Sequence, residues 1–237
     1  MAEGGAAIGD ASVGIADGGA AAPCDGGTID ANAPKLPEYI GPPVDPVVPS
    51  DCPGDPTAGW TEYEDTFAIE HPYNLMPSDR FSRSCGIDTF WVLSTDDPHA
   101  PGNTTAPRTE ARFSTFTSGM KMWTADVYVD SGEKTVVMQC HTTSTGIGPA
   151  YIRVEGGDLY EADGTKLMSN AIGKWFNMKV SVDHATDLTT VWINNCQKLS
   201  SVHQRGNTEL YFKHGTYTCD QSAPCKDHYK NVHLYQK

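Results

Sequence analysis

Polar side chains recur at alternate positions in three short segments of this 237-residue chain: Arg108, Glu110 and Arg112; Gln139 and His141; Tyr211, Lys213 and Tyr217. Successive side chains of a strand point to opposite faces, so within each segment these groups would share a face. The residues between them are of kinds that can be buried: Thr109 and Ala111, then Met138 and Cys140 after Val136, then Phe212, with His214 and Thr216 as weaker members. A sheet with Arg, Lys, Gln, His and Tyr opposite its core offers a cationic, proton-transferring surface. That surface suits an enzyme acting on an acidic polymer.

The rest of the sequence supplies strands to carry those groups. From residue 60 onward, aromatic and β-branched runs recur at short spacing between turn pairs such as Ser131-Gly132, Gly156-Gly157, Asp163-Gly164 and Asn194-Asn195. The clearest strands are expected at 122–130, 134–142, 174–183, 188–194, 208–217 and 228–236, with weaker ones at 64–70, 89–95, 110–117 and 150–155. No sustained 3.6-residue periodicity and no internal repeat is found. Residues 71–107, rich in Pro, Asp, Ser and Asn, read as loops around one strand, placed to shape the walls of a site. Fold class is therefore all-β.

Composition divides the chain. Residues 1–56 are dominated by Gly, Ala, Pro and Asp and read as a disordered tail or linker; residues 57–237 read as one domain. The opening residues have neither a basic start nor an apolar run of signal length, so any export signal is expected to have been removed or replaced. No membrane span is expected. Net charge is −13, of which −8 belongs to the tail, so the domain's −5 argues against a nucleic-acid partner. A polyanion must be bound by local charge.

Seven cysteines without CxxC or HxxxH spacing point to an oxidising, extracytoplasmic compartment. Cys219 and Cys225 bracket a five-residue loop and form the first expected disulfide. Cys52 with Cys85, and Cys140 with Cys196, are the next candidate pairs, with Cys24 the odd one out. A Cys140 thiolate nucleophile is disfavoured, because adjacent strand residues diverge and Cys140 would point away from His141. The remaining histidines, His71, His99, His184, His203, His228 and His233, show no metal-site spacing. Asp96-Asp97 and Asp158 to Asp163 are candidates for a structural calcium, against the ordinary reading of solvated acidic loops. Asn103-Thr-Thr105 is a glycosylation sequon, relevant only in a eukaryotic source.

In this order the three segments resemble the signature motifs R-x-E-x-R, Q-x-H and Y-F-K-x-G-x-Y of the family 7 polysaccharide lyases, the alginate lyases. The resemblance covers about the C-terminal two thirds of the chain, and its last motif, Tyr211 to Tyr217, is the most specific. It implies a β-jelly roll of two antiparallel sheets whose concave face cleaves a polyuronate by β-elimination without an organic cofactor. It also implies that Arg108, Gln139 and His141 surround the substrate carboxylate. Tyr217 would then be both base and acid, or His141 the base and Tyr217 the acid.

The chemistry sets what those residues must accomplish. The C5 proton beside an ionised carboxylate is a very weak acid, so that carboxylate must be neutralised and the developing dianion stabilised. A tyrosine acting as base, with its usual pKa of about 10, needs positive charge nearby, for which Lys213 and the arginines are the sources. Glu110 is expected to hold Arg108 and Arg112 in place, while Lys213, Arg112 and Tyr211 meet neighbouring sugars. Cys140 stands where the family usually has Ile or Val, a position associated with block preference among alginates, so that association gives no preference here; the resemblance itself makes alginate the first candidate substrate and glucuronan or another polyuronate the next. A monomer is expected.

Two competing functions are a non-catalytic carbohydrate-binding sandwich, using exposed Trp60, Trp91, Trp123, Trp175 or Trp192, and a glycoside hydrolase. The hydrolase needs two carboxylates, and the three motifs hold only Glu110. In isolation each motif also has a plain reading, such as a solvated salt-bridge ladder for Arg108, Glu110 and Arg112.

Overall fold

The computed structural model describes residues 52, 54–132, 134–143, 148–202 and 209–237. Two antiparallel sheets pack face to face. The first runs in the order β13 (Cys196–Val202), β12 (Leu188–Ile193), β11 (Trp175–Asp183), β6 (Met120–Ser131), β15 (Cys225–Gln236), β4 (Ile87–Val92) and β3 (Phe81–Ser84), with β1 (Thr61–Tyr63) also on β15. The second runs β10 (Lys166–Met168), β9 (Asp158–Tyr160), β8 (Ala150–Glu155), β7 (Lys134–Thr142), β14 (Leu210–Tyr217), β5 (Arg108–Phe113) and β2 (Phe67–Glu70). One 3-10 turn, Pro77–Asp79, is the only helical element among the described residues.

The core lies between the sheets and follows the period-2 pattern. Trp123, Ala125, Val127 and Val129 of β6, with Phe176, Met178, Val180 and Val182 of β11, face Ala111 and Phe113 of β5, Met138 and Cys140 of β7, and Phe212 of β14. Burying a Phe, Val or Met side chain contributes roughly 1.5–3 kcal/mol, so this alternation fixes which face each strand turns outward. Slipping β14 by one residue would turn Tyr211, Lys213 and Tyr217 into the apolar core in place of Phe212.

The expected strong strands are all present, and Arg108–Phe113 starts two residues earlier than the expected 110–117. Segment 71–107 holds two strands, since β3 pairs with β4 from Phe81↔Phe90 to Ser84↔Ile87. Strands β1, β9 and β10 are three residues long, too short for a periodic signal, and the seven-residue β13 is mostly polar.

Cys219–Cys225 is bonded, as expected from the short loop. The other pairings differ from expectation. Cys52 bonds Cys196 at the start of β13, and Cys140 is a free, fully buried thiol, because strand parity turns it into the core. Cys85 is disulfide-bonded, and Cys24 lies outside the described residues. The disulfide of Cys52 and an ion pair of Asp55 with Lys179 at 3.9 Å tie these two residues to the domain. Among the described residues no helix is long and apolar enough to cross a membrane.

Candidate active site

Three adjacent strands bring the three motifs together on the outer face of the second sheet. β14 lies between β5 and β7, with Lys213 opposite Arg112 on one side and Gln139 on the other; Tyr217 stands opposite Arg108, and Tyr211 opposite His141. The polar groups are far from a solvated ladder. Arg108 is 6 % exposed, Glu110 1 %, Gln139 2 % and Lys213 2 %. Charges buried this deeply require partners.

Those partners include a residue outside the motifs. Glu70, at the end of β2 and opposite Glu110, places its Oε2 2.6 Å from Lys213 Nζ and 3.6 Å from Arg108, and its Oε1 3.5 Å from Arg112. Glu110 accepts a hydrogen bond of 2.6 Å from Gln139 Nε2 and pairs with Arg108 at 3.6 Å and Lys213 at 3.7 Å. The face is therefore less cationic than the motifs alone suggest, because two carboxylates stand among three cations. Burial alone would raise the Glu70 pKa, but the attraction of Lys213 and Arg108 outweighs it and holds the carboxyl below its usual value. Glu70 is a charged group.

The aromatic groups are held by the same cations. Arg108 lies over the Tyr217 ring at 4.2 Å and Arg112 over the Tyr211 ring at 4.2 Å. Tyr211 stacks on His141, with its hydroxyl 3.2 Å from His141 Nδ1, and burial raises the Tyr211 pKa. His141 Nδ1 is also 2.6 Å from the Thr142 carbonyl oxygen. A carbonyl only accepts, so this contact assigns the proton to Nδ1 and leaves the Nε2 lone pair available. Burial lowers the His141 pKa, the Thr142 carbonyl opposes that shift, and the charges of Lys213 and Arg108 reinforce it. The imidazole is neutral at pH 7.

Two further neighbours escaped the sequence reading. Tyr151, opposite Gln139 on β8, has a pKa pushed up to about 12 by burial and then by Tyr217 and Glu110. His99 senses Arg108, Glu70 and Lys213, and burial with Arg108 lowers its pKa. The outward parity of Tyr151 in the weak strand 150–155 was a usable signal. For Glu70 nothing in the sequence links strand β2 to the motifs, and for His99 the expectation that the 71–107 loops wall the site singled out no residue.

A bulge sets the Tyr217 end of the site. β14 and β7 pair regularly to His214↔Met138 and resume at Tyr217↔Val136, leaving Gly215 and Thr216 opposite Val137. Gly215 has φ +136, and a Cβ there would collide with the Thr109 carbonyl oxygen and Glu110 Cα, which explains the glycine of the motif. Buried Tyr229, reaching across from the first sheet, donates to the Val137 carbonyl at 2.7 Å and lies 3.2 Å from that of Gly215. Thr216 Oγ1 donates to the Phe90 carbonyl at 3.1 Å. His214 faces the core as expected, accepting a 3.2 Å hydrogen bond from Trp123 Nε1.

Other sequence candidates fall elsewhere. Trp123 is fully buried, which removes it as a sugar-stacking residue, whereas Trp60, Trp91, Trp175 and Trp192 are half-buried. Asp96 is paired with Arg80 and Asp158 with Lys166, and among the described residues no cluster of three His, Cys, Asp or Glu is placed to hold a metal. A surface hollow of about 400 Å³ near Lys166, Met168, Ile193 and Lys198 contains none of the motif residues.

Residues 63–237 match the alginate lyase family. A citrate-binding protein of Hevea brasiliensis is 34 % identical over 193 residues, covering 78 % of this chain and 81 % of that protein. Among solved structures, alginate lyase AlgAT5 of polysaccharide lyase family 7 superposes with a TM-score of 0.60 at 20 % identity, covering 73 % of this chain and 94 % of its own. The alginate lyase AlyA1 of Zobellia galactanivorans gives 0.55 at 12 % identity, covering 75 % and 95 %. At these identities the structural likeness establishes the jelly-roll fold.

Proposed function

Since the chain belongs to the alginate lyase family, we propose that it is a polysaccharide lyase that cleaves an acidic polyuronate, with alginate the first candidate, by β-elimination. The observation that carries this reading is the joint burial of Arg108, Gln139 and Glu110 beside His141, whose Nδ1 contact with the Thr142 carbonyl leaves Nε2 to accept a proton. Arg108 and Gln139 neutralise the carboxylate of the reacting sugar. His141 Nε2 takes the C5 proton; the electron pair left on C5 forms the C4–C5 double bond as the C4–O4 bond breaks; and Tyr217 donates its proton to the departing O4. The products are a 4,5-unsaturated uronate end and a free hydroxyl end. Lys213, enclosed by Glu70 and Glu110, contributes charge rather than contact. The disulfides support an extracytoplasmic site of action.

The hydrolase alternative gains a second carboxylate in Glu70, yet a hydrolase needs a protonated acid, and Lys213 and Arg108 keep Glu70 ionised. A non-catalytic carboxylate-binding role is favoured by one observation, the 34 % identity to a citrate-binding protein. Ultraviolet absorbance of unsaturated ends decides between them, with alginate, its mannuronate-rich and guluronate-rich fractions and glucuronan as substrates. Product formation that is lost in Tyr217→Phe and His141→Asn supports the lyase. Citrate binding by calorimetry, with no product from any polymer, would replace it with the binding reading.

A further inference from the structure

Tyr151 faces the site from a strand that carries no motif. It stands directly opposite Gln139 on the outer face, where paired Cβ atoms lie about 4.5–5.5 Å apart, while Ala150 and Ile152 on either side of it turn into the core. Its side chain is half-buried, and its hydroxyl has no hydrogen-bond partner among the described residues. That hydroxyl lies within electrostatic reach of Tyr217, Glu110, Arg153 and Arg108, so it shares the space in which the reacting sugar would sit. The strand is fixed at this point. Glu161, 1 % exposed, accepts a 3.1 Å hydrogen bond from the Tyr151 backbone N–H, and its carbonyl accepts one of 2.9 Å from Arg153.

The donors assigned to the substrate carboxylate are partly engaged already. Gln139 Nε2 donates to Glu110 at 2.6 Å, and Arg108 pairs with Glu110 and with Glu70 at 3.6 Å. A carboxylate offers about four lone-pair positions, and its oxygens demand donors more strongly as the dianion develops. Building on the lyase reading above, we propose that Tyr151 is a further catalytic residue whose O–H donates to the carboxylate of the reacting uronate, beside Arg108 and Gln139. Burial, with Tyr217 and Glu110, pushes the phenol pKa up to about 12, so this donor keeps its proton while Tyr217 gives its own to the leaving oxygen. The two tyrosines therefore hold different roles.

Tyr151→Phe removes the hydroxyl alone and is expected to melt with the parent, because no described group of the protein uses that hydroxyl. On the polymer that the parent cleaves, kcat should fall about 10- to 100-fold and KM rise only about threefold, with the shape of the pH profile unchanged. In a Tyr217→Phe background, calorimetry should show an oligouronate bound about threefold more weakly once Tyr151 is replaced, and its methyl ester bound as before. A kcat equal to the parent's, or equal weakening of acid and ester, would overturn the proposal. A clearly lower melting temperature would also overturn it, by assigning the hydroxyl to the fold. Absence of unsaturated product with the parent protein would refute the lyase reading, while the comparison of acid with ester still decides whether Tyr151 holds a carboxylate.

Discussion

Replacing Tyr229 by Phe tests whether the second half of the site is held from behind. The substitution removes one hydroxyl and keeps the ring, which packs edge-on against Phe90. The lost hydrogen bond, 2.7 Å to the Val137 carbonyl and near that of Gly215, leaves buried acceptors at the bulge unsatisfied. Such a loss costs about 1–2 kcal/mol, which in a domain of this size lowers Tm by roughly 2–8 °C. Val137 lies two residues before Gln139, and Gly215 two before Tyr217, so a relaxed bulge displaces the carboxylate-binding group relative to the hydroxyl. Under the lyase reading, kcat should therefore fall at least about tenfold at temperatures where the protein stays folded, with KM changed little. Calorimetric unfolding and steady-state kinetics on one preparation measure both. A variant that loses stability but retains kcat would refute the positional argument, and one that loses neither would show that the hydroxyl does not hold the bulge.

Other consequences follow from the same geometry. Burial lowers the pKa of His214 to about 3 and of His228 to about 4, below the unfolded value of 6.5. Their contribution to stability is thus fully present above pH 6.5 and is lost as pH falls toward those values; for His214 it is on the order of 4–5 kcal/mol. Urea midpoints unchanged between pH 7 and pH 4.5 would contradict it. If His141 is the base, kcat/KM should rise with pH through an ionisation below 6.5, and His141→Asn should remove that limb from the profile; a limb that survives assigns it to another group. Gly215→Ala, which drives a Cβ into the β5 backbone, should cost more than about 2 kcal/mol, and a melting temperature equal to the parent's would show that the strands can separate without penalty.

The sequence by itself determined the parts of this protein that depend on short-range order. Alternation in 108–112, 139–141 and 211–217 placed each set of polar groups on one face, because a strand's side-chain period is fixed by backbone geometry. The same alternation turned Cys140 and His214 inward, and a six-residue separation was enough to pair Cys219 with Cys225. Tertiary structure alone decided what depends on strand order and on distances between remote segments. Glu70 enters the site because β2 pairs with β5, Cys52 finds Cys196 rather than Cys85 across 144 residues, and Tyr229 reaches the bulge from the opposite sheet. Local sequence encodes the direction of each side chain, whereas the charge balance of the site is a sum over strands brought together only when the sheets close on a shared core.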